Sequence, residues 1–319
     1  MSSYLVTGGA GFIGSNIVAE LVAKGDRVRV LDNFSTGRRS NLAPFIQQIE
    51  IIEGDIRSYH LVQEAVAGMD FILHQAALPS VPRSVRDPIT TNEVNVLGTL
   101  NVLQAARDAG VKRLVFASSS SVYGDNPELP KQETMCPHPL SPYAISKLAA
   151  EQYCQSFWQL YHFETVCLRY FNVFGPHQDP TSQYSAVIPR FITALLKRNP
   201  ITIHGNGLQS RDFTFVANVV KANLLACTTP DSAGGVFNIA CGTRYTLIDL
   251  VETLAMIVGQ KPELHYGTAR PGDVPHSQAN ITQAEQILGY QPLVDLKKGL
   301  AETASWFREE LFGSHSLLN

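Results

Sequence analysis

Through the first 170 residues, short apolar runs take turns with longer helix-period segments, and this alternation limits the possible folds more than any other feature. Tyr4–Thr7, Arg27–Leu31, Ile49–Ile52, Phe71–His74, Arg113–Ala117 and Thr165–Leu168 read as strands. Ile13–Lys24, Ser58–Ala67, Thr91–Asp108 and Tyr143–Tyr161 read as the helices between them. The last helix carries start signals. Ser141 is placed to cap it, and Pro142 follows at the first position, where a missing N–H costs nothing. Strand and helix joined by short connectors imply right-handed βαβ units, hence a parallel sheet covered on both faces. The expected fold is a doubly wound α/β domain.

After Tyr170 the rhythm breaks. Residues 171–184 are rich in Pro, Gly, His and Gln, and helix-like Ile188–Lys197 and Leu247–Val258 accompany strand-like Val236–Ile239. The expected division is 1–170 and 171–319, a soft boundary that later segments are free to recross into the first sheet. The second part reads as a smaller mixed α/β domain.

Composition narrows the function. The chain has 319 residues and a net charge of −3, so no overall field attracts nucleic acid or an anionic membrane. Its five cysteines are scattered without a Cys-x-x-Cys pair, which suits a reducing compartment and supports no metal site. No apolar run approaches the roughly 18–20 residues that span a bilayer. The first strand pattern begins at Tyr4, leaving no room for a signal peptide, so the expected location is cytoplasmic.

Thr7-Gly8-Gly9-Ala10-Gly11-Phe12-Ile13-Gly14 follows the first strand and opens a helix. Glycines at 8, 11 and 14 permit a tight turn, a close approach to a pyrophosphate and close helix–sheet packing, and the helix N-terminus offers N–H groups to phosphate. Asp32 ends the second strand at the distance expected of an acid that bonds the adenosine ribose. Its carboxylate favours NAD over NADP, because it would repel a 2′-phosphate. Arg38 and Arg39 are the contrary signal, unless they belong to a solvated loop. Asp55 is placed to meet the adenine edge or to cap a helix.

The second constellation is Ser118-Ser119-Ser120-Ser121-Val122-Tyr123 with Tyr143-Ala144-Ile145-Ser146-Lys147. Four-residue spacing places Tyr143 and Lys147 on one helix face. A phenol of pKa about 10 needs about 4 kcal/mol of differential stabilisation to act as a base near neutrality. The expectation is that the Lys147 ammonium and a nicotinamide cation provide it. A serine hydroxyl at the end of the fifth strand would orient the substrate oxygen.

These residues resemble the extended short-chain dehydrogenase/reductases, and within them the UDP-sugar 4-epimerases, over nearly the whole chain. The matching segments include Gly8/Gly11/Gly14, Leu31-Asp32-Asn33, Gly54-Asp55, His74-Gln75-Ala76-Ala77, Asn95, Tyr143/Lys147, Tyr170-Phe171-Asn172, Ser210-Arg211-Asp212-Phe213 and Arg270-Pro271-Gly272-Asp273. The resemblance implies a Rossmann NAD-binding domain and a C-terminal sugar-nucleotide domain, with Ser119, Tyr143 and Lys147 catalytic. Phe12, Ile13, Asn33, Ile56, Gln75, Ala76, Asn95 and Tyr170 would join the glycines, Asp32 and Asp55 around NAD. Asn172 would bond the sugar nucleotide, Arg211 and Arg270 would clamp its pyrophosphate, and Asp273 would hold the uridine ribose. Guanidinium forks suit phosphate oxygens. Ser80, Ser119, Ser120, Tyr143, Val187, His204 and Ser277 complete the implied substrate set.

Related dehydratases and decarboxylases place acids in the serine-run region, where this chain has Ser120 and Ser121. Position 79, a lysine in some glucose-type epimerases, is Pro79, and residues 77–84 resemble the branch acting on N-acetylhexosamine nucleotides. Ser277 stands where epimerases restricted to plain hexoses carry tyrosine, which implies room for an N-acetyl group. A uronate substrate, with Arg83 as carboxylate partner, is the alternative. A dehydrogenase that releases its keto product and a non-catalytic dinucleotide sensor are the other rivals. The family's two-fold pairing of the helices at Thr91–Asp108 and Tyr143–Tyr161 implies a homodimer. Val94, Leu97, Leu100, Val102, Leu103, Phe157, Trp158 and Leu160 are the surplus apolar residues expected at that contact.

Overall fold

The computed structural model describes residues 1–179, 187–268 and 274–313. The first half runs β1 (Ser3–Thr7), α1 (Phe12–Ala23), β2 (Arg27–Asp32), β3 (Ile49–Glu53), α2 (Tyr59–Val66), β4 (Phe71–His74), α3 (Val81–Arg86) and α4 (Pro88–Asn92). It continues with α5 (Gly98–Asp108), β5 (Arg113–Ser119), α6 (Pro142–Tyr161) and β6 (Glu164–Tyr170). The second half adds β7 (Val173–Phe174), α7 (Val187–Leu196), β8 (Ile201–His204), β9 (Ser210–Arg211), β10 (Thr214–Phe215) and α8 (Val216–Thr228). It ends with β11 (Val236–Ile239), β12 (Tyr245–Thr246), α9 (Leu247–Val258), β13 (Leu264–Gly267) and α10 (Leu296–Phe312).

Seven strands form one sheet in the order β11-β6-β5-β4-β1-β2-β3, with parallel pairing throughout. The direction of winding reverses between β1 and β4, and crevices at such points bind ligands beyond the carboxyl ends of strands. β11 pairs with β6 from Val236↔Cys167 to Ile239↔Tyr170, so the sheet takes its last strand from beyond residue 170. Three two-stranded pairs, β7·β10, β9·β12 and β8·β13, shape the second part.

The sheet separates two apolar layers. One buries Val6, Ile17, Val30, Leu168 and Phe237 and runs on into Phe174, Phe191, Leu250 and Leu300. The other buries Leu5, Leu31, Ile72, Leu103, Phe116 and Phe157 under α2, α5 and α6. Strands buried on both faces read as unbroken apolar runs, which is why their positions were legible. Ser141 caps α6 by accepting from Ala144 N at 3.2 Å, with Pro142 at the start. The expected Thr91–Asp108 helix is instead α4, a wider π-type turn over Glu93–Leu97, and α5. Val102, Leu103 and Phe157 are core residues covering the sheet, not surplus surface, whereas Leu97 and Leu160 are exposed.

Candidate active site

β1 leads into a turn at Gly8, with φ +68°, and α1 begins after Gly11. A Cβ on Gly8 would lie 2.7 Å from Ala76 N, and one on Gly14 would overlap the Gly8 carbonyl. These two glycines are therefore required by packing alone. The turn is braced from beneath: Thr7 Oγ1 lies 2.6 Å from His74 Nδ1, and His74 Nε2 lies 3.0 Å from Thr99 Oγ1. Burial holds this imidazole neutral, with its pKa pushed down to about 3. No side chain caps α1 and its first turn holds no acid. Its first N–H groups and positive end are left to a cavity of about 930 Å³ lined by Gly11, Phe12, Ile13 and Gly14.

The cavity gathers Gly8, Asp32, Asn33, Asp55, Ile56, Gln75, Ala76, Tyr143, Lys147 and Tyr170 from six chain segments. Asn95 is the one cofactor candidate outside its lining. Its buried carboxamide accepts from Leu78 N at 2.7 Å and donates to Ser146 Oγ at 3.0 Å, which fixes the loop wall. Asp32 is buried, and its two oxygens accept from Ala10 N at 2.9 Å and Phe34 N at 2.8 Å. Burial raises its pKa. Asp55 is held low by Arg57, which it meets at 2.9 Å. Arg38 pairs with Asp179 at 2.6 Å, while Arg39 pairs with Glu53 and lies 3.9 Å from the Phe34 ring centroid. Both guanidiniums already face acids, so neither argues for a 2′-phosphate.

At the other end, Ser119 accepts from Ser121 N at 3.2 Å and lies close enough to Tyr143 to favour its phenolate. Of the two cations expected to bring the phenol down, Lys147 and a nicotinamide, Lys147 gives no such lowering within the protein. Burial raises Tyr143, and the neighbouring Ser119 hydroxyl acts against that rise. Lys147 reaches under the helix instead, donating to Ala117 O at 2.8 Å with its ammonium 5.0 Å from the Phe116 ring centroid. Burial lowers this ammonium to about 8.

Four polar side chains to which the sequence reading gave no role are buried in hydrogen-bond networks. Asn223 of α8 donates to Tyr170 Oη at 2.8 Å and accepts from Gln75 Nε2 at 3.1 Å, tying two cavity residues together. Glu151 accepts from Ser118 Oγ at 2.6 Å and from Arg169 at 2.6 and 3.1 Å. Arg169 continues to Tyr123 Oη at 2.9 Å. Asp212 accepts from the N–H groups of Cys241, Gly242 and Ala279 at 3.0, 3.0 and 3.2 Å.

The substrate candidates are less gathered. Ser80 and Tyr143 line the cavity, and Ser119, Ser120, Asn172, Val187, His204, Arg211 and Ser277 lie outside its lining. Ser80 holds φ +105° and caps α3 by accepting from Arg83 N at 3.3 Å. Asn172, at φ +35°, donates to Asp212 O at 3.0 Å. Such strained non-glycine residues cluster at functional sites. Arg211 donates to the carbonyls of Ser210 and Pro275, and Ser277 N donates to Ser210 O at 3.0 Å. Val187 opens α7, and His204 Nδ1 lies 3.2 Å from Thr268 O. Arg270 and Asp273 lie outside the described residues.

Residues 4–240 match the model of the NAD dependent epimerase/dehydratase family. The chain belongs to that family. It is 39% identical over 315 residues to a UDP-glucose 4-epimerase of Mycolicibacterium smegmatis, covering 96% of this chain and 98% of the relative. The structure of a UDP-N-acetylglucosamine 4-epimerase from Methanobrevibacter ruminantium, in complex with UDP-N-acetylmuramic acid, is similar with a TM-score of 0.93. That protein is 39% identical, and the match covers 97% of this chain and 99% of the other. A Thermus thermophilus UDP-glucose 4-epimerase in complex with NAD matches with a TM-score of 0.87 at 38% identity, over 96% and 99% of the two chains. NAD is the cofactor, and the cavity suits it. The uncapped helix end fits a pyrophosphate and Asp32 fits ribose hydroxyls. Gln178 Oε1, on the cavity wall, is a buried acceptor with no partner among the described residues, which a ribose hydroxyl would satisfy. No helix among the described residues is long and apolar enough to cross a membrane.

Proposed function

We propose that the protein is a UDP-sugar 4-epimerase that interconverts UDP-GlcNAc and UDP-GalNAc and also turns over UDP-glucose and UDP-galactose. The observation that carries this reading is the gathering of Tyr143, Lys147 and Tyr170 at one end of the cavity, with Ser119 close enough to act on the Tyr143 phenol and hydroxyls in the rest of the serine run. Bound NAD supplies a transient hydride store and a positive charge beside the phenol. Tyr143 takes the proton of the sugar 4-hydroxyl and later returns it, Ser119 orients that oxygen and shares the proton, and the cofactor's positive charge favours phenolate, while Lys147 stays anchored on Ala117 O. The nucleotide is to be held by its phosphates through Arg211 and Arg270, and by its ribose through Asp273. The 4-keto sugar is left free to turn its other face.

Elimination and decarboxylation are disfavoured by the same serine run. Ser120 and Ser121 offer no acid, and Glu151, the carboxylate that Ser118 touches, is taken up by Arg169. Preference for the N-acetylated sugars rests on Ser277. Its backbone is fixed on β9, and its small side chain leaves volume where a tyrosine would overlap an acetamide. A homodimer is part of the proposal: Val85, Ile89, Leu97 and Ile145 are exposed on α3, α4, the following π-type turn and α6, an apolar surface fit for a second copy. Light scattering at the monomer mass at micromolar concentration would refute the dimer.

Product analysis by NMR tests the activity. Purified protein given UDP-GlcNAc or UDP-GalNAc should reach the same mixture of C4 epimers without net loss of NAD. Stoichiometric loss of free NAD with a keto product would make it a dehydrogenase, and no change with any UDP-sugar would favour the sensor.

A further inference from the structure

Arg38 and Asp179 play no part in the chemistry above, yet they join two arms of chain beside the glycine-rich turn. The first arm is residues 35–38. Arg38 N donates to Ala10 O at 3.0 Å, and a Cβ on Gly37 would lie 2.8 Å from Ala10, so this arm lies directly on the turn. The second arm is residues 174–179. It is held to α1 by Asn16 Nδ2, which donates to Pro176 O at 3.2 Å, and by the 2.8 Å contact of Ser15 Oγ with His177 Nδ1. Behind it, the His177 ring packs 5.5 Å from that of Trp306 on α10. Ser35 and Thr36 of one arm line the cofactor cavity together with Gln178 and Asp179 of the other, and the 2.6 Å Arg38–Asp179 ion pair closes them on each other. Gln178 also turns its unpartnered Oε1 into this wall.

We infer that the Arg38–Asp179 pair is a clasp that retains NAD, so that the cofactor leaves only when the two arms part. A hydride store must survive many turnovers, which gives such a clasp a use. The pair is partly solvated, its side chains 42% and 37% exposed. One exposed pair contributes at most about 1 kcal/mol, so its removal should speed NAD release about two- to fivefold.

The test is the rate at which NAD-loaded protein loses cofactor into an excess of a fluorescent NAD analogue, without any sugar. Asp179→Asn and Arg38→Gln should each release NAD about two- to fivefold faster, and the double variant no faster than either single. Raising salt should speed release from the wild type and leave the variants nearly unchanged. Unchanged release in both variants, additive effects in the double, or a salt-insensitive wild type would overturn the clasp. Because no turnover is read, that failure is separate from failure of the epimerase reading, which shows only with UDP-sugars.

Discussion

Removing one partner of the Glu151–Arg169 pair should be among the costliest single changes in the protein. The two side chains are 0% and 4% exposed, joined by bonds of 2.6 and 3.1 Å, and Glu151 also holds Ser118 Oγ at 2.6 Å. In Glu151→Leu, Arg169 keeps only Tyr123 Oη among these partners and becomes a buried cation without its counter-charge. Breaking such a pair costs about 3–5 kcal/mol, a large share of a total stability of about 5–15 kcal/mol. Arg169→Leu should cost a similar amount, since it leaves the carboxylate stranded. The double replacement leaves no unpaired charge and fills the space with apolar atoms, so it should cost less than the sum and no more than the larger single. Urea unfolding followed by circular dichroism, with NAD held at one concentration, measures all four proteins. In Glu151→Leu, kcat should also fall, because Ser118 loses its anchor one residue from Ser119. Singles that cost under about 1 kcal/mol and simply add would show that water screens the pair, and would refute the reasoning.

Asp212 gives a pH signature. Its pKa, raised by burial to about 6 from an ordinary 3.8, means that between these values the folded chain holds a proton the unfolded chain lacks. Stability from this group therefore rises as pH falls, by about 1 kcal/mol from pH 7 to pH 5. Asp212→Asn should lose that slope in urea midpoints, and equal slopes in both proteins would contradict it. Ser277→Tyr should depress kcat/KM for UDP-GlcNAc much more than for UDP-glucose. Wild type should favour the N-acetylated sugar only modestly, because a missing group costs about 1–3 kcal/mol. If the tyrosine variant keeps its N-acetylhexosamine turnover, Ser277 is not the gate.

The parts legible in the sequence are those written in local spacing. The glycine turn, Asp32 at the end of β2, the Ser141-Pro142 start of α6 and the Tyr143/Lys147 face all follow from residues close together in the chain. The missed parts are polar groups whose partners lie far away. Asn223 meets Tyr170 across 53 positions, and nothing within α8 distinguishes it from a solvated asparagine. Glu151 reads as a surface acid on α6 until β5 and β6 place Ser118 and Arg169 beneath it. Lys147 misled in the same way: helix spacing gives the face, but Ala117 O, 30 positions earlier, decides where the ammonium rests. The apolar residues of α5 were over-read because periodicity cannot say whether a stripe covers a sheet or another chain. The strained Ser80 and Asn172 carry no signal in composition, since φ is set by tertiary contacts.

The central claim is that Tyr143 moves the proton of the sugar hydroxyl. Tyr143→Phe keeps the ring and removes only the hydroxyl. The direct measurement is kcat for UDP-GlcNAc in this variant, with bound NAD quantified in the same sample. The account predicts a fall of about 10²–10⁴-fold with NAD still bound. Near-normal turnover in a fully NAD-loaded variant would contradict it.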